Sequence, residues 1–257
     1  MKSKLFFLLL AGVFLLGFDE TMAQVNQRDD QGRRQGEWEG RFPNGRIRYQ
    51  GQFTDDRPVG TFTYFNNDGS LRAELVHNIG VDTVDAVFFH RNRNRRATGQ
   101  FLNQLRTGKW TLFTELGVKL SETWYQNDVP HGATTMFFPS GSPAERVHYS
   151  EGRKHGEWQQ FYENGQKRLS AHYQNGMLSG VFNVFHENGL PLLTAQYLEN
   201  LPQSIWRYYT AQGELIRERY YKNGVLEREV VYIEQEIDPA IPLQPGSDPI
   251  FDMIRSY

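Results

Sequence analysis

The sequence predicts an all-β protein: one elongated, twisted antiparallel sheet made of about eight β-hairpin units of 24 residues each. Three observations predict it. Glycine recurs every 24 residues at Gly36, Gly60, Gly108, Gly132, Gly156 and Gly180, and a second glycine recurs at Gly45, Gly69, Gly117, Gly141, Gly165, Gly189 and Gly213. Two aromatic positions keep the same step. One runs through Phe65, Phe89, Phe113, Phe137, Phe161, Phe185 and Tyr209, the other through Phe53, Phe101, Tyr125, Tyr149, Tyr173, Tyr197 and Tyr221. No insertion or deletion disturbs the spacing. A fixed period of this length marks stacked units, each burying its apolar face on its neighbours.

Within a unit the order is a strand of about six residues, a tight turn, a strand of about eight and a looser link. Asn44-Gly45, Asp68-Gly69, Asn164-Gly165 and Asn188-Gly189 occupy the tight turn, where a two-residue type I′ hairpin needs positive φ at both central positions. Side chains alternate along a strand, so Trp158 and Gln160 point to one side and Gln159 and Phe161 to the other, which puts aromatic residues on both faces. Units start at 36, 60, 84, 108, 132, 156, 180 and 204, and a strand from Glu229 to Ile233 closes the array. About 17 strands at roughly 4.8 Å give a ribbon on the order of 80 Å long. Two units depart from the pattern. The unit at 84 carries Val84 and Arg93 in place of the glycines, implying a changed turn, and the unit at 204 opens on Ser204.

The flanks differ in composition from the array. Residues 1–23 have the parts of a secretory signal: Lys2 and Lys4, an apolar run from Leu5 to Phe18, and Thr21-Met22-Ala23 before the expected cleavage. The run of about 14 residues is shorter than the roughly 20 of a spanning helix. No Cys follows it, which excludes lipoprotein-type attachment and leads to a periplasmic or extracellular location. Residues 24–35 are polar and read as a disordered lead-in to the 36–233 array. From 234 to 257 the period is lost, and Pro239, Pro242, Pro245 and Pro249 exclude another hairpin. This tail is either a disordered end or a cap in which Ile241, Leu243, Phe251 and Ile254 cover the last rung.

The core G-x-W-x-x-F-Y-E-N-G at 156–165 and the following Y-x-N-G-x-x-x-G at 173–180 resemble the MORN repeat, and more closely its variant form. The resemblance covers about residues 32–233. That variant occurs in bacterial proteins described as antitoxin components of toxin–antitoxin modules. It implies a hairpin array used for protein or membrane contacts, with no catalytic residues to carry over. The export signal departs from a cytoplasmic antitoxin.

Composition narrows the function further. The formal charge is −2, from 28 basic and 30 acidic residues, so no global field draws the chain to nucleic acid or anionic lipid. With no Cys, disulfides and thiolate metal sites are excluded. No phosphate-binding glycine loop, His-Glu-x-x-His pair or Gly-x-Ser-x-Gly elbow is present, so neither an enzyme nor a cofactor is expected. His131 and His155 share one repeat position and His148 and His172 another. Such positions lie two strands apart, about 9.6 Å, too far for joint ligation of zinc.

The remaining candidates are binding residues. Arg91, Arg93, Arg95 and Arg96 form the densest charge cluster, at the turn of the irregular unit, and suit a carboxylate or phosphate partner. Trp38, Phe62, Trp110, Trp158, Phe182 and Trp206 hold one repeat position. They either stack to support the sheet, at roughly 0.2–1 kcal/mol per pair, or expose a ladder, with Trp110 and Trp158 as its rungs, for a glycan. Trp124 stands off the pattern as a candidate specific contact. The leading expectation is a non-enzymatic exported scaffold that binds another envelope or secreted protein. A glycan-binding ladder and a toxin-neutralising protein are the alternatives.

Overall fold

The computed structural model describes residues 25–234, and over that span the chain is a single open antiparallel sheet. Its strands are β1 (Gln27–Arg28), β2 (Arg34–Arg41), β3 (Ile47–Thr54), β4 (Arg57–Phe65), β5 (Leu71–His77), β6 (Thr83–Phe89) and β7 (Arg95–Leu102). Then come β8 (Leu105–Phe113), β9 (Lys119–Gln126), β10 (Val129–Phe137), β11 (Pro143–Ser150), β12 (Arg153–Phe161) and β13 (Lys167–Gln174). The last are β14 (Met177–Leu178), β15 (Gly180–Phe185), β16 (Pro191–Leu198), β17 (Leu201–Tyr209), β18 (Leu215–Lys222) and β19 (Val225–Val231). Each strand pairs with the next in sequence, except that β14 and β15 lie end to end against β13. The count exceeds expectation through that split and through β1. The closing strand starts at Val225 instead of Glu229.

The turns are the reverse of what the sequence pattern suggests. At the Asn-Gly turn, Gly165 N donates to Tyr162 O at 2.9 Å and Tyr162 N donates to Gln166 O at 2.8 Å, with positive φ at Gly165 alone. This is a type I turn closed by a left-handed residue in a bulge, a three-residue loop. Asn164 is there for its side chain: in this row of turns Asn92 and Asn188 donate to Glu115 O and Ala211 O of the following turn, both at 2.7 Å. The two-residue type I′ turns are the links, where Asn175 and Gly176 have φ 52° and 87°, and Asn127 and Asp128 have 51° and 65°. The expected loose link is thus the tight element. Link joins link through main-chain bonds such as Gly176 N to Lys154 O, 2.8 Å, and Asn200 N to Leu178 O, 2.9 Å.

The opening glycine makes a bulge. Gly156, at φ 87°, lies where β12 gains residues against β11, between the pairs Tyr149↔Lys154 and Val147↔Trp158. The bulge swings the Trp two residues later back over the preceding strand. Ser204 keeps the conformation at φ 61° despite its side chain. Val84 does not, and β5 and β6 run in unbroken register from Ala73↔Phe88 to His77↔Val84. The residues that a bulge would absorb instead lengthen the link at 78–82. Arg93, by contrast, adopts φ 68° and preserves the turn of its unit, with Arg93 N donating to His90 O at 3.0 Å. The expected change of turn does not occur.

One face is the core. Trp158, Tyr173, Phe182, Tyr197 and Trp206 interleave on it with Leu169, Leu193 and Tyr208, and all of these are buried. Ring centroids follow one another at 5.6 Å (Trp158–Tyr173), 5.4 Å (Phe182–Tyr197), 5.2 Å (Tyr197–Trp206) and 4.8 Å (Trp206–Tyr221). Trp158 and Gln160 share this face, while Phe161 lies on the other beneath the Arg146 guanidinium, 5.3 Å from its centroid.

Residues 25–35 are ordered, contrary to the expected disordered lead-in. Asp29 organises them by accepting from Gln31 N (3.0 Å), Arg33 N (2.9 Å), Arg33 Nε (2.8 Å) and Gln35 Nε2 (3.1 Å). Desolvation works against its charge, yet these bonds hold the Asp29 carboxyl down to about 2. The expected signal segment 1–23 and the proline-rich tail from 235 onward lie outside the described residues.

Two substitutions test this geometry by urea unfolding. Arg93→Gly relieves a left-handed non-glycine residue and raises stability by about 0.5–1 kcal/mol, the αL penalty less the added freedom of the unfolded chain. Gly99→Val places a Cβ 2.3 Å from the Trp110 ring, and overpacking of this kind lowers stability by about 1–3 kcal/mol.

Candidate functional site

The core face is not equally closed along its length. The repeat position held by Trp38, Phe62, Trp110, Trp158, Phe182 and Trp206 is occupied by Ala86 and Thr134 in two units, so Trp110 is isolated between two gaps in the ring series. In that stretch β6, β7, β8 and β9 leave an open hollow of about 460 Å³ lined by Phe88, Ala97, Phe101, Trp110, Leu112 and Leu120. Phe113, His90, Arg96 and Arg106 complete its rim. Phe88, Phe101 and Leu112 are only half-buried, whereas their equivalents Val184, Tyr197 and Tyr208 in the later units are 3%, 4% and 1% exposed.

Pairing sets the floor. Phe88 lies opposite Ala97, and Ala97 opposite Leu112, so alternation turns all three to the same face. The bulge at Gly108 then lays Trp110 flat over Gly99, which has no side chain to obstruct it. Trp110 Nε1 donates to Gln100 O at 3.1 Å. Phe101 meets Trp110 edge-on at 5.0 Å and Phe88 at 6.4 Å, an aromatic triangle closed by Phe88–Trp110 at 6.2 Å. The floor is therefore apolar and rigid.

The rim is basic. At the link end, Arg106 stacks on Tyr125 at 4.1 Å and its Nε donates to Asp128 Oδ1 at 2.7 Å. Asp128 also accepts from Arg106 N at 2.9 Å. The side-chain bond from Arg106, then its main-chain N–H, holds the Asp128 carboxyl below the ordinary range. Arg34 and Asp56 repeat the arrangement at 2.8 Å, with the same effect on Asp56. At the turn end, His90 Nε2 is fixed 2.9 Å from Phe113 O, and the exposed Arg96 guanidinium lies 5.9 Å from the Phe88 centroid. Among the described residues no carboxylate pairs with Arg93, Arg95 or Arg96.

The residues singled out from the sequence fall into separate places. Arg96 and Trp110 come together in the hollow. Arg91 points away, its side chain 86% exposed and 3.9 Å from Asp68, into a polar groove between neighbouring turns. Arg93 is at the turn and Arg95 opens β7. Trp124 lies on the opposite face, paired with Lys109 and 48% exposed. Trp110 and Trp158 are 7% and 6% exposed. The exposed ladder that a glycan would need is therefore absent at both positions, because the bulges fold these rings into the core. Trp158 Nε1 donates at 2.6 Å to the buried Glu145. Phe88, Phe101, Leu112, Leu120 and Arg106 were not singled out, although the gaps at Ala86 and Thr134 in the ring series point to them. Among the described residues no cluster of three metal-ligating side chains forms.

Residues 154–175 and 213–234 match the MORN repeat variant. The first match spans β12, the Asn164-Gly165 turn and β13. The second spans β18, the Asn223-Gly224 link and β19. No curated protein matches the chain.

The depressed carboxyls make stability depend on pH with a defined sign. Asp29, Asp56 and Asp128 have folded values below their ordinary 3.8, and Glu122 and Glu229 lie below 4.5. The stabilisation is therefore complete above those ordinary values and is lost as the pH falls through the folded ones. The urea midpoint is expected to stay level from neutral pH down to about 5 and then to fall on further acidification. Asp128→Asn makes that fall shallower.

Proposed function

We propose that the protein is a non-enzymatic, exported interaction scaffold whose docking surface is the hollow across β6–β9, and that its partner is another envelope or secreted protein. A single observation carries this reading. Across β6–β9 the core face keeps Phe88, Phe101 and Leu112 half-buried around an open hollow, beside the exposed Arg96, which no described carboxylate pairs. Rigid aromatic floors with arginine at the rim have the composition of energetic centres in protein interfaces. The hairpin array supplies a stiff support, since each unit is hydrogen-bonded to the next through both strands and turns. Export is supported by the segment 1–23, and mature protein recovered outside the cytoplasm is expected to begin at Gln24.

Partner capture from envelope extract, read by mass spectrometry, tests the reading. The wild-type chain recovers a defined protein, and Leu112→Glu or Arg96→Glu reduces its recovery at least about tenfold, the loss expected when an interface centre is disrupted. Equal recovery with either variant would remove the hollow from the interface. Retention that depends on undigested glycan would favour carbohydrate binding instead.

A further inference from the structure

The chain itself contains a segment complementary to the hollow. Residues 235–257 carry Glu236, Asp238, Asp248 and Asp252 against the single basic residue Arg255, and the stretch Ile250-Phe251-Asp252-Met253-Ile254 is apolar around one carboxylate. An apolar floor beside Arg96, the arginine of the rim that no described carboxylate pairs, is the counterpart of such a sequence.

Geometry favours the match. β19 runs from the link edge to the turn edge, and Tyr232 N and Ile233 N both donate to Ile216 O, at 2.8 and 3.1 Å. The chain therefore leaves the sheet at the edge that carries His90, Arg96 and Phe113. From β19 to β9, the near wall of the hollow, is nine pairing steps, about 43 Å at roughly 4.8 Å each. Residues 235–249 contain four prolines, and 15 residues at the extended rise of about 3.1 Å each would reach about 46 Å.

We infer that the segment Ile250–Ile254 docks in the hollow of its own chain, with Phe251 and Ile254 on the aromatic floor and Asp252 against Arg96. In the free protein the hollow is then covered, and a partner must displace the segment to bind. The inference concerns the free protein, so its failure would leave the interaction reading untouched.

Crosslinking tests it. A photoreactive benzoylphenylalanine at position 251 of the full chain, irradiated without any partner, is expected to crosslink within residues 88–120 of the same chain, with a yield independent of protein concentration. Arg96→Glu lowers that yield about tenfold, consistent with loss of a charge-assisted contact and its replacement by repulsion. Adding Asp252→Arg to Arg96→Glu restores it, while circular dichroism shows the sheet unchanged. Crosslinks elsewhere, crosslinks between chains, or failure of the charge exchange to restore the yield would overturn the proposal.

Discussion

A sheet with no second layer has to bury its own face, and everything else in this molecule follows from that constraint. The described residues contain no helix and no packed opposing sheet. Burial comes from large rings lying across neighbouring strands, so that Phe182 and Tyr208 reach 1% exposure on a single-layer ribbon. Each ring covers the strand before it and is covered by the unit after it, so the core is a chain of nearest-neighbour contacts. Where the ring position is lost, as at Ala86 and Thr134, the chain of contacts is interrupted and the hollow lies in the interval.

Left-handed residues make this packing possible. A regular strand would stand the Trp side chain upright on the sheet, with its ring edge in water. The bulge at the opening glycine instead lays it over the previous strand, and Gly51 and Gly99 provide flat seats beneath Phe62 and Trp110. Ser204 and Arg93 show that the backbone conformation is held by the pairing around it even where the residue disfavours it. Val84 marks the other outcome, in which the bulge disappears and the link grows.

The ends and long edges are closed by polar means. On the last rungs of the core face, Arg217 and Arg219 replace Leu193 and Ala195 of the preceding unit, and both pair with Glu229, at 3.2 and 2.6 Å. On the other face Glu218 collects Arg207 Nε and the hydroxyls of Tyr220 and Tyr232, at 2.8, 2.8 and 3.1 Å. These contacts finish the array among the described residues, and the charges along β19 blunt its edge. At the other end, Asp29 closes the first hairpin.

The period, the all-β class and the order of pairing are legible in the sequence by itself, because a 24-residue repeat without insertions leaves each strand only its neighbours to pair with. The alternation of Trp158 and Gln159 was likewise enough to separate the faces. Three things required the tertiary structure. Asn-Gly at the hairpin turn fits a type I′ turn or a type I turn with a bulge equally well in composition, and only the strand register selects the latter. Repetition of Trp is compatible with an exposed ladder or a core, and the bulges decide for the core. The hollow depends on residues far apart in the chain, from Phe88 to Leu120. A concavity is a property of what neighbouring strands fail to fill, and the sequence of one strand does not contain it.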